Sequence, residues 1–179
     1  MDANKRAFDI VVCSLAAVLW LPVLGLCALL VLLCCGRPVF YVSKRRVYMH
    51  KNRKIVKFRT MVRNAEKIAN RRTIPIQDQR FLNIDFNSPL YTRLGRIFEK
   101  VCMTELPQLV HVLTGKMTLV GNRPLPESVI ESIKEEYPYM ERRFSSRCGM
   151  TGPIQLVGRD NMPDHVRLHL EISYCRICR

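Results

Sequence analysis

Thr104 and Glu105 stand side by side in the stretch Met103–Pro126, MTELPQLVHVLTGKMTLVGNRPLP, and Arg123 follows them between Asn122 and Pro124. These residue types suit work on a phosphorylated substrate. A carboxylate is ionised at neutral pH and can coordinate a cation or attack a phosphorus centre, whereas a threonine hydroxyl needs an activating base beside it. Arginine offers a planar fork that grips phosphate or a base edge. The elements that must position them can be read nearby. Leu106, Leu109, Val110 and Leu113 recur at i, i+3, i+4, i+7, the spacing of one apolar helix face. Thr104 is placed to cap that helix, Pro107 falls in its first turn, and Gly115 stands just past its last apolar position. The free N–H groups and positive dipole end of such a helix would favour both the Glu105 carboxylate and a bound phosphate. Met117–Val120 then reads as a short apolar strand, and Gly121–Pro124 as a loop that displays Arg123 on a stiff backbone. Neighbouring residues at a helix start rarely face each other, so Glu105 is poorly placed to activate Thr104. Capping and chemistry both stay open for that threonine.

The remainder of the chain points to an anionic partner and a membrane. With 179 residues and a formal net charge of +14, it has room for one modest domain plus an appendage. So large a positive excess implies nucleic acid, an acidic membrane surface or a phosphorylated substrate. From Ile10 to Cys35 there is no charge, a run of 26 residues that belongs in lipid. It lacks the small-residue cleavage site of a signal peptide. Lys5 and Arg6 precede it, and Arg37, Lys44, Arg45 and Arg46 follow. A straight spanning helix has the right length, but basic flanks prefer the cytoplasmic side. Two of them favour a segment that enters the bilayer and returns on the same face, with the bend at Pro22. Between residues 44 and 59 lie Lys44, Arg45, Arg46, Lys51, Arg53, Lys54, Lys57 and Arg59, with no acid among them. Beside a membrane segment such a strip attracts anionic lipid. Nucleic acid is not expected as a partner, since the strip lacks the interleaved aromatics of a stacking platform.

Further elements follow from periodicity. Ile55-Val56 reads as a strand end, Asn64–Arg72 as a polar helix, and Ile74–Pro89 as a loop. Thr92–Val101 reads as a helix with Leu94, Ile97, Phe98 and Val101 on one face, and Glu127–Arg143 as a charged helical segment interrupted at Pro138. Thr151-Gly152-Pro153 marks a turn before a short strand, Ile154–Val157, and Gly158-Arg159 presents another arginine from a loop. Four of the eight cysteines fall inside the apolar run, which is no disulfide framework; they read as small buried hydrophobes. Cys175-x-x-Cys178 lacks a second pair, and His165 with His169 lacks the acid of a zinc protease motif.

The ordered set Lys5-Arg6 with Phe8-Asp9, the apolar run, Gly36 with Pro38-Val39-Phe40, Lys57-Phe58-Arg59-Thr60-Met61 and Ala65-Glu66 continues through Thr92-Arg93-Leu94-Gly95-Arg96 and Glu105-Leu106-Pro107-Gln108. It ends with Leu119-Val120-Gly121, Arg123-Pro124, and Thr151-Gly152 through Gln155 to Gly158-Arg159. Along nearly its whole length the chain thereby resembles the bacterial sugar transferases, the monotopic phosphoglycosyl transferases that start glycan assembly on a polyprenol phosphate. The resemblance implies a helix-rich α+β fold, with a re-entrant membrane helix over residues 1–40 and a cytosolic domain over 41–179. It places the protein on the cytosolic face of a bacterial inner membrane. It implies transfer of a phosphosugar from a uridine diphosphate sugar to undecaprenyl phosphate, the first step of exopolysaccharide, O-antigen or capsule synthesis. Magnesium would be the cofactor, with Glu105 as its carboxylate ligand. Lys57 and Arg59 would reach the diphosphate, Arg123 and Pro124 would form the nucleotide loop, and Arg159 would add a further substrate contact.

Several positions depart from the family pattern. Thr104 stands where the family has its aspartate nucleophile and Glu99 where it has arginine; Leu21 replaces the serine before the membrane proline. Arg46-Val47-Tyr48 lacks the usual glycine turn, and relatives run on past Arg179 through a further short segment. The alternative implied is a homologue impaired in catalysis that binds carrier lipid or a partner at the membrane.

Overall fold

A computed structural model describes residues 3–68, 87–157 and 162–178. In chain order it contains α1 (Ala3–Leu15), α2 (Ala17–Cys35), β1 (Phe40–Tyr48), β2 (Lys51–Phe58), α3 (Ala65–Ile68) and α4 (Arg93–Lys100). A 3-10 turn (Met103–Gln108) then leads into α5 (Leu109–Leu113), β3 (Thr118–Val120) and α6 (Glu127–Glu136). A 3-10 segment (Pro138–Phe144), β4 (Gly149–Thr151), α7 (Pro153–Val157) and α8 (Asp164–Ile177) complete it. The fold is helix-rich α+β with small sheets: β1 pairs with β2, and β3 runs parallel to β4 with Thr118 opposite Gly149 and Val120 opposite Thr151. The chain divides into two compact units. The first comprises Met1–Val18, Ser43–Ile55 and Gln108–Arg179; the second comprises Leu19–Val42 and Val56–Pro107.

In the first unit, the polar start of α1 is a clamp rather than only a charged flank. Arg6 donates from its two terminal nitrogens to the carbonyls of Val112 and Leu113, each at 2.6 Å, closing the C-terminal end of α5 where helix carbonyls lack partners. Asp9 is buried, and its carboxylate accepts the Thr118 hydroxyl at 2.6 Å and the Leu119 N–H at 3.1 Å. The core of this unit includes Val112, Met117, Ile130, Met140 and Phe144, all fully buried. The loop after β3 touches β4 backbone to backbone. A Cβ at Gly149 would overlap the Gly121 nitrogen, and one at Gly152 would overlap the Gly121 carbonyl.

In the second unit, α2 packs one stripe, Cys27 and Val31, against Phe58 and Phe98. Most of its surface is exposed, and by length and composition it could cross a membrane. Of the helix expected over Thr92–Val101, Arg93–Lys100 is helical, and the Thr92 hydroxyl caps it by accepting the Gly95 N–H at 2.9 Å. Gly95 lies so close to Thr60 that a Cβ there would overlap the Thr60 carbonyl.

Several expectations are corrected. The helix expected from Thr104 is a 3-10 turn followed by a short α-helix. Cys102 reverses the chain at φ +57°, and Pro107 disfavours α geometry in the residue before it, so the segment closes more tightly. Ile154–Val157 is helical, not a strand, because Gly152-Pro153 starts a helix and the strand lies just upstream at Gly149–Thr151. The break in the apolar run falls at Ala16, while Pro22 lies inside α2. On α4, Phe98 is buried but Ile97 and Val101 are exposed, since packing against Thr60 selects the Gly95–Phe98 side. The basic strip forms the β1–β2 hairpin, which turns at Met49 with φ +42°, a strained conformation for a residue other than glycine. The strand read at Ile55-Val56 continues to Phe58. Of the helix expected over Asn64–Arg72, Ala65–Ile68 is present; residues 69–72, and 74–86 of the expected loop, lie outside the described residues.

Candidate active site

The second unit holds Lys57, Arg59, Thr104 and Glu105. Lys57, near the end of β2, donates to a Glu105 carboxylate oxygen at 2.7 Å, with both side chains only about a fifth exposed (20% and 22%). Strand β2 and the 3-10 turn thus bring one cation and one anion together, a pair able to hold a phosphorylated ligand and its counter-ion. Thr104 is 3% exposed, and its hydroxyl has no hydrogen-bond partner among the described residues. It sits within the 3-10 turn rather than ahead of a helix, so it is not the expected cap.

Arg59 is placed differently from Lys57. Its guanidinium donates to the carbonyls of Cys35, Gly36 and Arg37, at 2.9 Å to Gly36 and 3.4 Å to Arg37. These are the carbonyls at and just beyond the end of α2, where the helix dipole is negative and backbone acceptors lack partners. Arg59 therefore fastens the end of α2 through its two terminal nitrogens. Glu99 accepts the Thr60 hydroxyl at 3.1 Å, so its carboxylate is held by the motif Lys57–Met61 from within the same unit. Its negative charge and, more strongly, burial push the Tyr91 phenol upward.

The first unit holds Arg123 and Pro124. Arg123 is partly exposed and Pro124 buried. Beneath them lies a support that the sequence reading did not single out. The Asn122 amide is buried and donates at 2.9 Å to the carbonyls of both Arg143 and Glu171. Arg143, fully buried, makes a two-pronged pair with Glu171, both contacts at 2.5 Å, and donates to the Arg123 carbonyl at 3.0 Å. Burial opposes the Arg143 charge, but the Glu171 carboxylate outweighs it and holds the guanidinium above its ordinary value. A signal for this pair did exist: Leu168, Glu171, Ile172 and Cys175 recur at i, i+3, i+4, i+7 on α8, an acid in the middle of a buried stripe. Arg143 carried no such mark. Arg159 lies outside the described residues.

Metal ligation has few candidates. Among the described residues no three His, Cys, Asp or Glu side chains cluster. Cys175 is buried, with its sulfur 3.0 Å from the Ser146 hydroxyl, and burial pushes the Cys148 thiol up to about 12. Glu105 offers a carboxylate beside a lysine, a donor set too small to cage a cation. It does fit magnesium arriving with a diphosphate, because that ion commonly takes one or two protein carboxylates and fills its shell from phosphates and water.

Comparison with known proteins agrees along the length of the chain. The family model for bacterial sugar transferase matches residues 1–178. The exopolysaccharide production protein ExoY of Rhizobium meliloti (strain 1021) is 31% identical over 95% of this chain and 76% of its own length. The UDP-galactose-lipid carrier transferase of Erwinia amylovora is 33% identical over 96% of this chain and 36% of its own length. For the UDP-glucose:undecaprenyl-phosphate glucose-1-phosphate transferase of Escherichia coli (strain K12), the figures are 31%, 96% and 36%. The chain therefore spans about three quarters of the first relative and about a third of the other two.

Proposed function

The chain belongs to the bacterial sugar transferase family, and from that premise we propose that it transfers a phosphosugar from a uridine diphosphate sugar to undecaprenyl phosphate, initiating a surface glycan. The Lys57–Glu105 pair carries the reading, because it stands at the family's motif position in a form suited to a diphosphate with its magnesium. Magnesium, when bound, would neutralise the diphosphate and stabilise the leaving oxygen. Glu105 would hold the ion and Lys57 would orient that carboxylate; the family resemblance gives Arg123 the grip on the nucleotide. The test is release of uridine monophosphate from a panel of uridine diphosphate sugars with undecaprenyl phosphate and magnesium. A second reading, a membrane-bound binder of carrier lipid, is favoured by the buried hydroxyl at Thr104, which has no hydrogen-bond partner among the described residues. Nucleotide binding without turnover would select it.

Arg123→Ala is expected to weaken uridine nucleotide affinity by roughly 1.5–3 kcal/mol, the cost of one charge-assisted contact. Because Arg123 is partly exposed and the Asn122 scaffold stays in place, the unfolding temperature should hold. Titration calorimetry and a thermal melt read the two quantities separately; unchanged affinity takes the nucleotide role from this loop.

We also infer that the apolar run is re-entrant, with residues 1–40 as the anchor and 41–179 on the cytosolic side of the inner membrane. Two observations support this. Lys5, Arg6 and Asp9 tie α1 to later chain in the first unit, while Arg59 and Phe58 tie α2 to later chain in the second. Single cysteines at Asn4 and Ser43, placed in a background without the native ones, should react equally with an impermeant label in sealed vesicles. Opposite accessibility would make the run a spanning helix.

A further inference from the structure

Between the 3-10 segment Pro138–Phe144 and α8, the first unit carries a groove that the transferase reading leaves unused. One cavity of about 500 Å³ is lined by Tyr139, Arg142, His165, His169 and Arg176 together with an apolar wall. A second of about 290 Å³ shares Arg142, Ile172 and Arg176 with it, so the two arginines stand where the cavities meet. Among the described residues no carboxylate lines either cavity. The acids closest in sequence to the two arginines are engaged elsewhere: Glu141 pairs with Arg46 and Lys134, which hold its carboxyl below the usual range, and Glu171 is buried against Arg143. Two guanidinium groups that share a groove repel each other, and a bound anion relieves that repulsion.

We propose that this groove binds the phosphate of an anionic phospholipid, with Arg142 and Arg176 on the phosphate and Val166, Leu170 and Ile172 against the upper part of an acyl chain. Two features select a lipid over soluble phosphate. The wall is mostly apolar, which a small ion does not need. In addition, α8, the helix that carries Arg176, is fastened to the start of α1 through the Tyr174 hydroxyl, which accepts the Lys5 ammonium at 2.7 Å, and α1 leads into the apolar run. The proposal rests on the membrane reading of that run, which puts the start of α1, to which α8 is tied, near the headgroups of the leaflet. It does not depend on turnover.

The full chain in dodecyl maltoside is titrated with dioctanoyl phosphatidylglycerol, dioctanoyl phosphatidylcholine and inorganic phosphate, each read by calorimetry. The phosphatidylglycerol is expected to bind at least about tenfold more tightly than either of the others. The double variant Arg142→Gln with Arg176→Gln should weaken it at least about tenfold, while melting temperature and uridine nucleotide affinity stay unchanged. Ser173→Glu, which adds a negative charge to the groove, should do the same. Equal affinity in the variants, equal binding of phosphatidylcholine, or equal binding of inorganic phosphate overturns the proposal, and so does loss of nucleotide binding in the double variant. Failure of the unmodified protein to bind uridine nucleotides, with the lipid effect intact, would sink the transferase reading and support the groove.

Discussion

Thr104→Asp should release uridine monophosphate roughly 10²–10⁴ times faster than the unmodified chain, the range that positioned general-base help is worth and that an unassisted alcohol forgoes. The structure shows why the alcohol is unassisted. Its hydroxyl is buried at 3% exposure and has no hydrogen-bond partner among the described residues. The adjacent carboxylate, Glu105, accepts from Lys57. Aspartate at the same position needs no base, because a carboxylate in its ionised form attacks phosphorus directly. Glu99 tempers the gain by keeping a negative charge on the Thr60 hydroxyl within the same unit. Replacing it with arginine as well exchanges that charge for a cation, so the double variant should outpace the single one. If the unmodified protein already turns over well and Thr104→Ala leaves the rate intact, the hydroxyl has no part in the chemistry.

The largest expected effect on stability belongs to Glu171→Ala. It leaves Arg143, with no exposed surface, as an uncompensated charge in the core. Breaking one side of a buried pair costs about 3–5 kcal/mol. For a chain of this length, that lowers the unfolding temperature on the order of 10 °C. Arg143→Met with Glu171→Leu should recover much of the loss, because an apolar pair removes both the charge and its desolvation penalty. The recovered protein should still bind uridine nucleotide more weakly, since the Arg123 carbonyl has lost its 3.0 Å donor. Full nucleotide affinity in that double variant would mean the loop keeps its shape without Arg143.

Where the sequence was informative, local chemistry alone decided the structure. Thr92 caps α4 through its own hydroxyl, and Gly115 ends α5 at φ +71°, a conformation glycine adopts without strain. Where it was not, distant groups decided. Arg59 reads as one more member of a basic strip until α2 presents its last carbonyls. Ile154–Val157 is too short an apolar run to distinguish strand from helix. Ile97 and Val101 share a helical spacing with Phe98 but not its burial, because the face of α4 is set by how closely Gly95 approaches Thr60. The Lys57–Glu105 contact joins residues 48 positions apart, a separation that no local pattern encodes.

The contact of Gly121 with Gly149 and Gly152 has a consequence for how this loop can change over evolutionary time. Side-chain packing can be repaired by a partner that shrinks or turns aside, so most core positions drift in compensating pairs. Here the obstacle to any larger residue is the backbone nitrogen of Gly121 or its carbonyl, and neither can be made smaller. No second substitution restores the fit. The path of the segment that carries Arg123 is thus fixed by three glycines, none of which has room for a side chain.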